Sequence, residues 1–276
     1  MVKKQSAKFD AGAYWRNRVV SGSDLGIVGH RSMGLAYNSQ IYERRLEVLN
    51  DMLERHVTRP VNDLRILDIG CGSGFYTGYW AERGVRDYVG VDISASTISH
   101  LFEQYPDFNF INADITEGVP KGLAGQRPFD LVTIFDVFYH IVDDERFVNA
   151  VRHIGALTAS SGVVLVMDQL HSERYQISKH VVYRDREEYV NLFDRSGLEL
   201  IDNELLFHYL IPPLSGHRLV DVSAAGVFKL AGFFVRMSDR LARWVAVRLR
   251  HVDNRLRSSG RRVSNSEMLI LRKDED

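Results

Sequence analysis

Asp68, Gly70, Gly72 and Gly74 form a D-x-G-x-G-x-G run that continues the apolar stretch Ile66–Ile69. Glycines at alternate positions let the backbone turn sharply and approach a ligand closely. A helix opening just after them aims free N–H groups and its positive end at that ligand. Asp92 lies 24 residues beyond Asp68, at the end of the next β-rich run. A carboxylate there can accept two hydrogen bonds from a ribose diol. Asp114 follows the third run. The dinucleotide fingerprint G-x-G-x-x-G is not met, because position 75 is Phe, which disfavours a nicotinamide-dependent oxidoreductase. A leading carboxylate repels a pyrophosphate but suits a ligand bearing ammonium or sulfonium charge. A plain glycine turn would need Asp68 only as a cap, whereas three acids recur at successive strand ends.

These residues require a scaffold of alternating strands and helices, and the pattern supplies one. Strands are expected at Leu64–Ile69, Tyr88–Val91, Phe108–Ile111, Asp130–Phe135, Gly162–Met167, Leu198–Leu206 and Glu267–Leu271. Helical spacing covers Phe75–Arg83, Ala95–Gln104, Asp144–Leu157 and Asp185–Ser196. Such alternation gives a parallel sheet with helices on both faces, and the two last strands give it an antiparallel end. Ahead of the sheet, Tyr14–Val20 and Gln40–His56 carry apolar residues at helical spacing around the Gly/Ser-rich loop Ser21–Gly34.

The chain resembles the class I S-adenosylmethionine (SAM)-dependent methyltransferases in I-L-D-I-G-C-G-S-G (66–74), V-G-V-D-I-S (89–94), N-A-D-I (112–115), F-D-L-V (129–132) and S-G-V-V-L (161–165). The resemblance runs from about Leu64 to Leu206. It implies SAM as cofactor and a Rossmann-like α/β fold: a doubly wound, seven-stranded mixed sheet with an N-terminal helical cover and a helical insertion before the last strand. The expected divisions are a cover or lid at 1–60, a core at 61–210, a basic helical insertion at 211–262, and the last strand and tail at 263–276. By the resemblance, the Gly70–Gly74 loop wraps the methionine part, with Asp68 near its amino group. Asp92 holds the ribose hydroxyls and Ile93 flanks the adenine. Asp114 accepts from the adenine amino group, and Ile115 lies against the ring. Phe135 and Asp136 line the cofactor near the methyl.

Methyl transfer from a sulfonium is an in-line displacement in which the protein mainly aligns nucleophile and methyl. A hydroxyl nucleophile also needs a base. His140 follows the fourth strand, in D-V-F-Y-H-I (136–141), and neutral imidazole suits a base near pH 7. It is expected either to be that base or to pack against the cofactor as a structural histidine. Asp136 could instead bind SAM or orient the acceptor. His30 could close over the site or stay an exposed loop histidine. Asp168, His171, His180 and Arg184 cluster after the fifth strand. His180 and Arg184 are expected to meet the acceptor, Arg184 suiting a carboxylate or phosphate; the alternative is a solvated connection.

Composition narrows the partners. Of 276 residues, 45% are hydrophobic and 26% charged, which excludes a mainly disordered chain. The net charge is −1, yet residues 229–262 hold ten Lys/Arg against two acids, leaving the remainder strongly acidic. That near balance, with no Asn/Asp-Pro-Pro-Tyr/Phe-like element at 135–138, disfavours a nucleic-acid substrate. The single cysteine, Cys71, excludes an internal disulfide, and no Cys/His spacing fits a metal. Met1–Asp10 lacks an apolar run, so no signal peptide is expected. With no spanning-length apolar stretch, a cytoplasmic location is expected. Residues 229–257 read as one helix with Phe233, Met237, Leu241, Trp244 and Val245 on one face. Either that face packs on the protein as a lid over an apolar acceptor, or the helix lies on an anionic membrane. The resemblance implies methyl transfer to a small-molecule acceptor, foremost O-methylation of a specialised metabolite or lipid-like compound. N- or C-methylation, a non-catalytic SAM-binding or membrane-associating module, and a homo-oligomer stay open.

Overall fold

A computed structural model describes residues 33–171, 173–211, 218–258 and 266–275. The expected helix at Tyr14–Val20, His30, the Pro212-Pro213 hinge and the end of the basic block lie outside the described residues. In chain order the elements are α1 (Gly34–His56), β1 (Arg65–Ile69), α2 (Phe75–Glu82), β2 (Asp87–Asp92), α3 (Ala95–Gln104) and β3 (Asn109–Asn112). Then come β4 (Phe129–Phe135), α4 (Asp144–Leu157), β5 (Thr158–His171), β6 (Tyr175–Ser178), β7 (Val181–Asp185) and α5 (Arg186–Asp194). The chain continues with β8 (Leu198–Leu205), α6 (Arg218–Val235), α7 (Asp239–Ser258) and β9 (Ser266–Lys273).

β1 is buried at every residue, so it needs neighbours on both edges and cover on both faces. It pairs in parallel with β2 on one side and β4 on the other. β3 extends the sheet beyond β2, and β5 beyond β4. β9 lies antiparallel to both β5 and β8, so β8 again runs with the majority. Seven strands are therefore ordered β3-β2-β1-β4-β5-β9-β8, and β7 and β6 bring the mixed sheet to nine strands rather than the expected seven.

Side-chain alternation divides the core in two. Ile66, Tyr88, Leu131, Leu165 and Ile270 face α1 and α2, meeting Val48, Leu49, Met52 and Trp80. Leu67, Val89, Val132, Val164 and Leu269 face α4 and α5, meeting Val151, Ile154, Tyr189 and Phe193. Helix starts are capped locally: Asp143 accepts from the Arg146 N–H, and Asp185 from those of Glu187 and Glu188.

Two features depart from the sequence reading. The connection after β5 folds into the hairpin β6–β7, whose second strand joins the end of β5 at Leu170 and His171. The expected single helix over 229–257 is two helices, because Ser238 caps a new one. Its Oγ accepts from the Leu241 N–H at 3.2 Å and its carbonyl from the Ala242 N–H at 2.9 Å. Asp239 then favours the positive end of α7.

The inner face of α7 is anchored by Asp253, which is fully buried. Its carboxylate accepts from the Tyr209 N–H at 2.8 Å and the Leu210 N–H at 3.1 Å. Removing it strands two donors away from water. Asp253→Ala is expected to cost about 2–4 kcal/mol of stability in thermal or urea unfolding, and Asp253→Asn, which keeps one acceptor, visibly less. An unchanged midpoint for the alanine variant would show that this anchor contributes nothing.

Candidate active site

The loop after β1 is shaped by three left-handed residues, Gly70 (φ 76°), Gly72 (φ 52°) and Gly74 (φ 82°). A Cβ on Gly70 would fall 2.3 Å from a methyl of Val137, and one on Gly74 2.4 Å from a methyl of Leu101. Backbone conformation and space thus both require glycine at these two positions. The Gly72 N–H donates to Asp92 at 3.0 Å, and the Ser94 N–H donates to its other carboxylate oxygen at 2.8 Å. Burial raises the pKa of Asp92, and these two N–H bonds offset only part of that rise. Ile93 beside it is half-buried. Burial, reinforced by Asp92 and Asp68, pushes the Cys71 thiol well up, so it is no ready nucleophile.

Asp68 lies one layer deeper. It is buried within the sheet, accepting from the Thr133 hydroxyl at 2.7 Å and the Tyr88 hydroxyl at 2.9 Å. Burial pushes its carboxyl up to about 6, against the pull of these two bonds. Both oxygens are thus tied to the strands beneath the loop. Asp114 accepts from the Thr116 N–H and hydroxyl, and pairs with Arg146 at 2.5 Å. Ile115 next to it is buried, and its carbonyl meets Nδ1 of His153 at 2.7 Å.

At the end of β4, Phe135 packs on the Tyr76 ring with centroids 4.5 Å apart. Asp136 has φ 60°, a conformation L-residues seldom adopt. Its N–H is held by the Met167 carbonyl at 2.9 Å. Its carboxylate meets Arg45 of α1 at 2.6 Å. Arg45 is buried among Tyr42, Tyr76 and Phe207. Burial alone would lower its pKa, but Asp136 and the tyrosines outweigh that and raise it. Its Nε has no hydrogen-bond partner among the described residues. Sequence reasoning missed Arg45. The available signal was its place four residues after Ile41 and four before Leu49, inside the apolar stripe of α1.

His140 sits in a short 3-10 turn, Phe138–His140. Its Nδ1 lies 3.0 Å from the carbonyl of His180 at the tip of the β6–β7 hairpin. A carbonyl only accepts, so Nδ1 carries the proton in that bond, and neutral His140 bears its lone pair on Nε2. The His140 and His180 rings lie parallel, centroids 6.1 Å apart. Arg184 departs from expectation. Its side chain is buried, donating to the carbonyls of Phe138 at 3.3 Å and Ile141 at 2.6 Å and pairing with Asp144 at 3.2 Å. With its guanidinium over the Phe147 ring at 3.8 Å, it braces the His140 turn from inside rather than facing an acceptor. Asp168 is buried, taking the Tyr189 hydroxyl at 2.7 Å and the Gln169 N–H at 2.6 Å. His171 stays near the surface, its Nδ1 3.0 Å from the Glu173 carbonyl and 3.2 Å from the Glu173 N–H.

Residues 37–203, more than half of the chain, match the family described as a methyltransferase domain. The ubiquinone biosynthesis O-methyltransferase of Azorhizobium caulinodans is 34% identical over 130 residues, covering 44% of this chain and 49% of that protein. Its namesake in Rickettsia akari is 27% identical over 154 residues, 55% of each. The chain thus spans about half the length of the curated relatives it matches. Among solved structures, the N-methyltransferase NodS from Bradyrhizobium japonicum with S-adenosyl-L-homocysteine (SAH) has a TM-score of 0.58 at 13% identity, covering 96% of this chain and 100% of that one. The [4+2]-cyclase SpnF has 0.51 at 15% identity, covering 83% and 81%. These structural likenesses establish the fold.

The buried carboxyls give the site a pH signature. Burial raises Asp168 to about 7, offset in part by its bonds from Tyr189 and Gln169. An acid with a raised folded pKa binds protons that the unfolded chain has released, so stability falls as pH rises through that interval. For Asp168 the interval runs from the ordinary carboxylate range to about 7. Urea unfolding of Asp168→Asn is expected to show a smaller loss of stability between pH 5 and 8 than wild type, by on the order of 1–4 kcal/mol. Parallel pH profiles for the two proteins would contradict the assignment.

Proposed function

The chain belongs to the class I SAM-dependent methyltransferases, and from that membership we propose that it methylates an oxygen of a small specialised metabolite or lipid-like compound. The carrying observation is the Gly72–Asp92 contact, which sets a carboxylate at a strand end directly against a glycine loop. That donor set fits a nucleoside with a cationic tail, and the Nε of buried Arg45, without a partner among the described residues, adds a place for an anionic group. SAM, when bound, supplies a methyl already activated on sulfur.

Asp92 accepts from the ribose hydroxyls, while Ile93 and Ile115 enclose the adenine. Asp114, held by Arg146, accepts from the adenine amino group. The Gly70–Gly74 backbone, supported from below by Asp68, lies along the methionine part. Phe135 and Asp136 border the methyl, and Arg45 takes the carboxylate end. His140 accepts the acceptor's hydroxyl proton at Nε2, its tautomer set by the His180 carbonyl. His180 and the β6–β7 hairpin contribute to the acceptor wall. The relatives named O-methyltransferase favour oxygen, and the SAH in the NodS crystal supports the cofactor.

Calorimetry is expected to register SAM or SAH binding and none for NAD. Asp92→Ala and Arg45→Met should each weaken SAH binding by roughly tenfold or more, since each removes a charged hydrogen-bonding partner. No binding of SAM or SAH at millimolar concentration sinks the assignment. With a hydroxylated acceptor found by product analysis, His140→Ala should lower kcat by about 10²–10⁴ and remove the acid limb of its pH profile. Full turnover across pH would remove His140 as the base. SAH binding with no turnover on any acceptor would instead favour a non-catalytic module.

A further inference from the structure

The two helices between β8 and β9 divide their residues sharply. α7 turns Ala242, Ala246 and Asp253 inward, and Arg250 pairs there with Glu43 and Glu47 of α1. Its opposite side carries Arg240, Arg243, Trp244, Arg248, Val252 and Arg255, which line one groove along the helix. Arg240, Trp244, Arg248, Val252 and Arg255 recur at intervals of three and four with Arg243 beside them, so the six form a single face. Trp244 is 57% exposed on it, with the Arg248 guanidinium 5.4 Å from its ring. α6 and the turn after it expose Leu219 (87%), Val222, Leu230, Phe233 (62%) and Met237 (62%). Phe233 and Met237, expected in the packed stripe of a lid, therefore face outward.

Among the described residues of this pair, Lys229, Arg236, Arg240, Arg243, Arg248 and Arg255 are exposed, whereas Asp239 is the one acid in that class. Large apolar side chains in water beside a one-signed charge are costly to display without a partner. The combination matches a surface that is apolar enough to receive Phe, Leu and Met and anionic enough to neutralise arginine. Phosphates of a nucleic acid satisfy the second demand but not the first. None of the helices is long and apolar enough to cross a membrane among the described residues, so the matching mode is a helix pair lying in the headgroup region.

We propose that the outer face of α6 and α7 docks on an anionic lipid surface, with Phe233, Met237 and Trp244 entering the interface and Arg240, Arg243 and Arg248 meeting headgroup phosphates. The test is co-sedimentation of the full chain with phosphatidylcholine vesicles, with and without roughly one-third phosphatidylglycerol. Binding is expected to the anionic vesicles only and to weaken with salt. At about a factor of five per basic residue, the triple variant Arg240→Glu/Arg243→Glu/Arg248→Glu should lower partitioning by a hundredfold or more. Phe233→Ser/Trp244→Ser should lower it with the salt response retained. Thermal midpoints equal to wild type show that both variants fold, and Arg→Gln versions replace the triple variant if it does not. Equal binding to neutral and anionic vesicles, or wild-type partitioning by the folded charge variant, overturns the proposal. So does a stable dimer in solution that the same substitutions dissociate, which would assign the face to a second copy of this chain.

Discussion

The ion pair between Arg45 and Asp136 is the contact on which the arrangement around the site depends. It joins α1, which precedes the sheet, to the residue immediately beyond β4. A buried guanidinium is costly unless its charge is met. Asp136 meets it only by adopting a left-handed backbone, which the Met167 carbonyl of neighbouring β5 fastens. The same turn sets Val137 against Gly70, so the glycine loop, the end of β4 and the covering helix constrain one another.

A second constraint comes from carboxylates placed at graded depth. Asp92 sits at the strand end with two backbone donors, whereas Asp68 is enclosed by Thr133 and Tyr88. Asp168 repeats the enclosed pattern under the hairpin with Tyr189. Asp68 is held by two hydroxyls that can accept as well as donate, so it tolerates either protonation state, whereas Asp168 has one such hydroxyl and one backbone N–H. The outer one is held by N–H groups, which favour the ionised form.

Much of this was legible from pattern. Strands of a buried parallel sheet read as apolar runs: Asp130–Phe135 and Gly162–Met167 lie within the strands observed, and the expected Leu64–Ile69 is observed as Arg65–Ile69. α3 begins and ends at the residues that periodicity gave, because Ser94 offers a side-chain cap to the Thr97 N–H. The glycine loop was legible because its backbone angles admit few other residues. What escaped was long-range pairing. Arg45 and Arg184 are charged residues that polarity assigns to solvent, yet each is buried by partners distant in sequence, Asp136 for one and the 138–141 carbonyls for the other. The β6–β7 hairpin escaped because its exposed first strand lacks an apolar run. The break at Ser238 escaped because a cap inside a continuous amphipathic stripe leaves the apolar spacing almost intact.

The position of β9 carries a further consequence. It is the last strand in the chain but lies inside the sheet, between β5 and β8. Everything from α6 through α7 is therefore an excursion that leaves from one strand and returns beside it. Strand pairing between β8 and β9 closes that excursion at its base, independently of what it contains. The helical pair is in this sense an insert with two sides: its inner side is tied to α1 through Arg250 and to the residues after β8 through Asp253, while its outer face takes no part in holding the sheet or the glycine loop. Such a chain can change what it meets at its surface without rebuilding the machinery beneath.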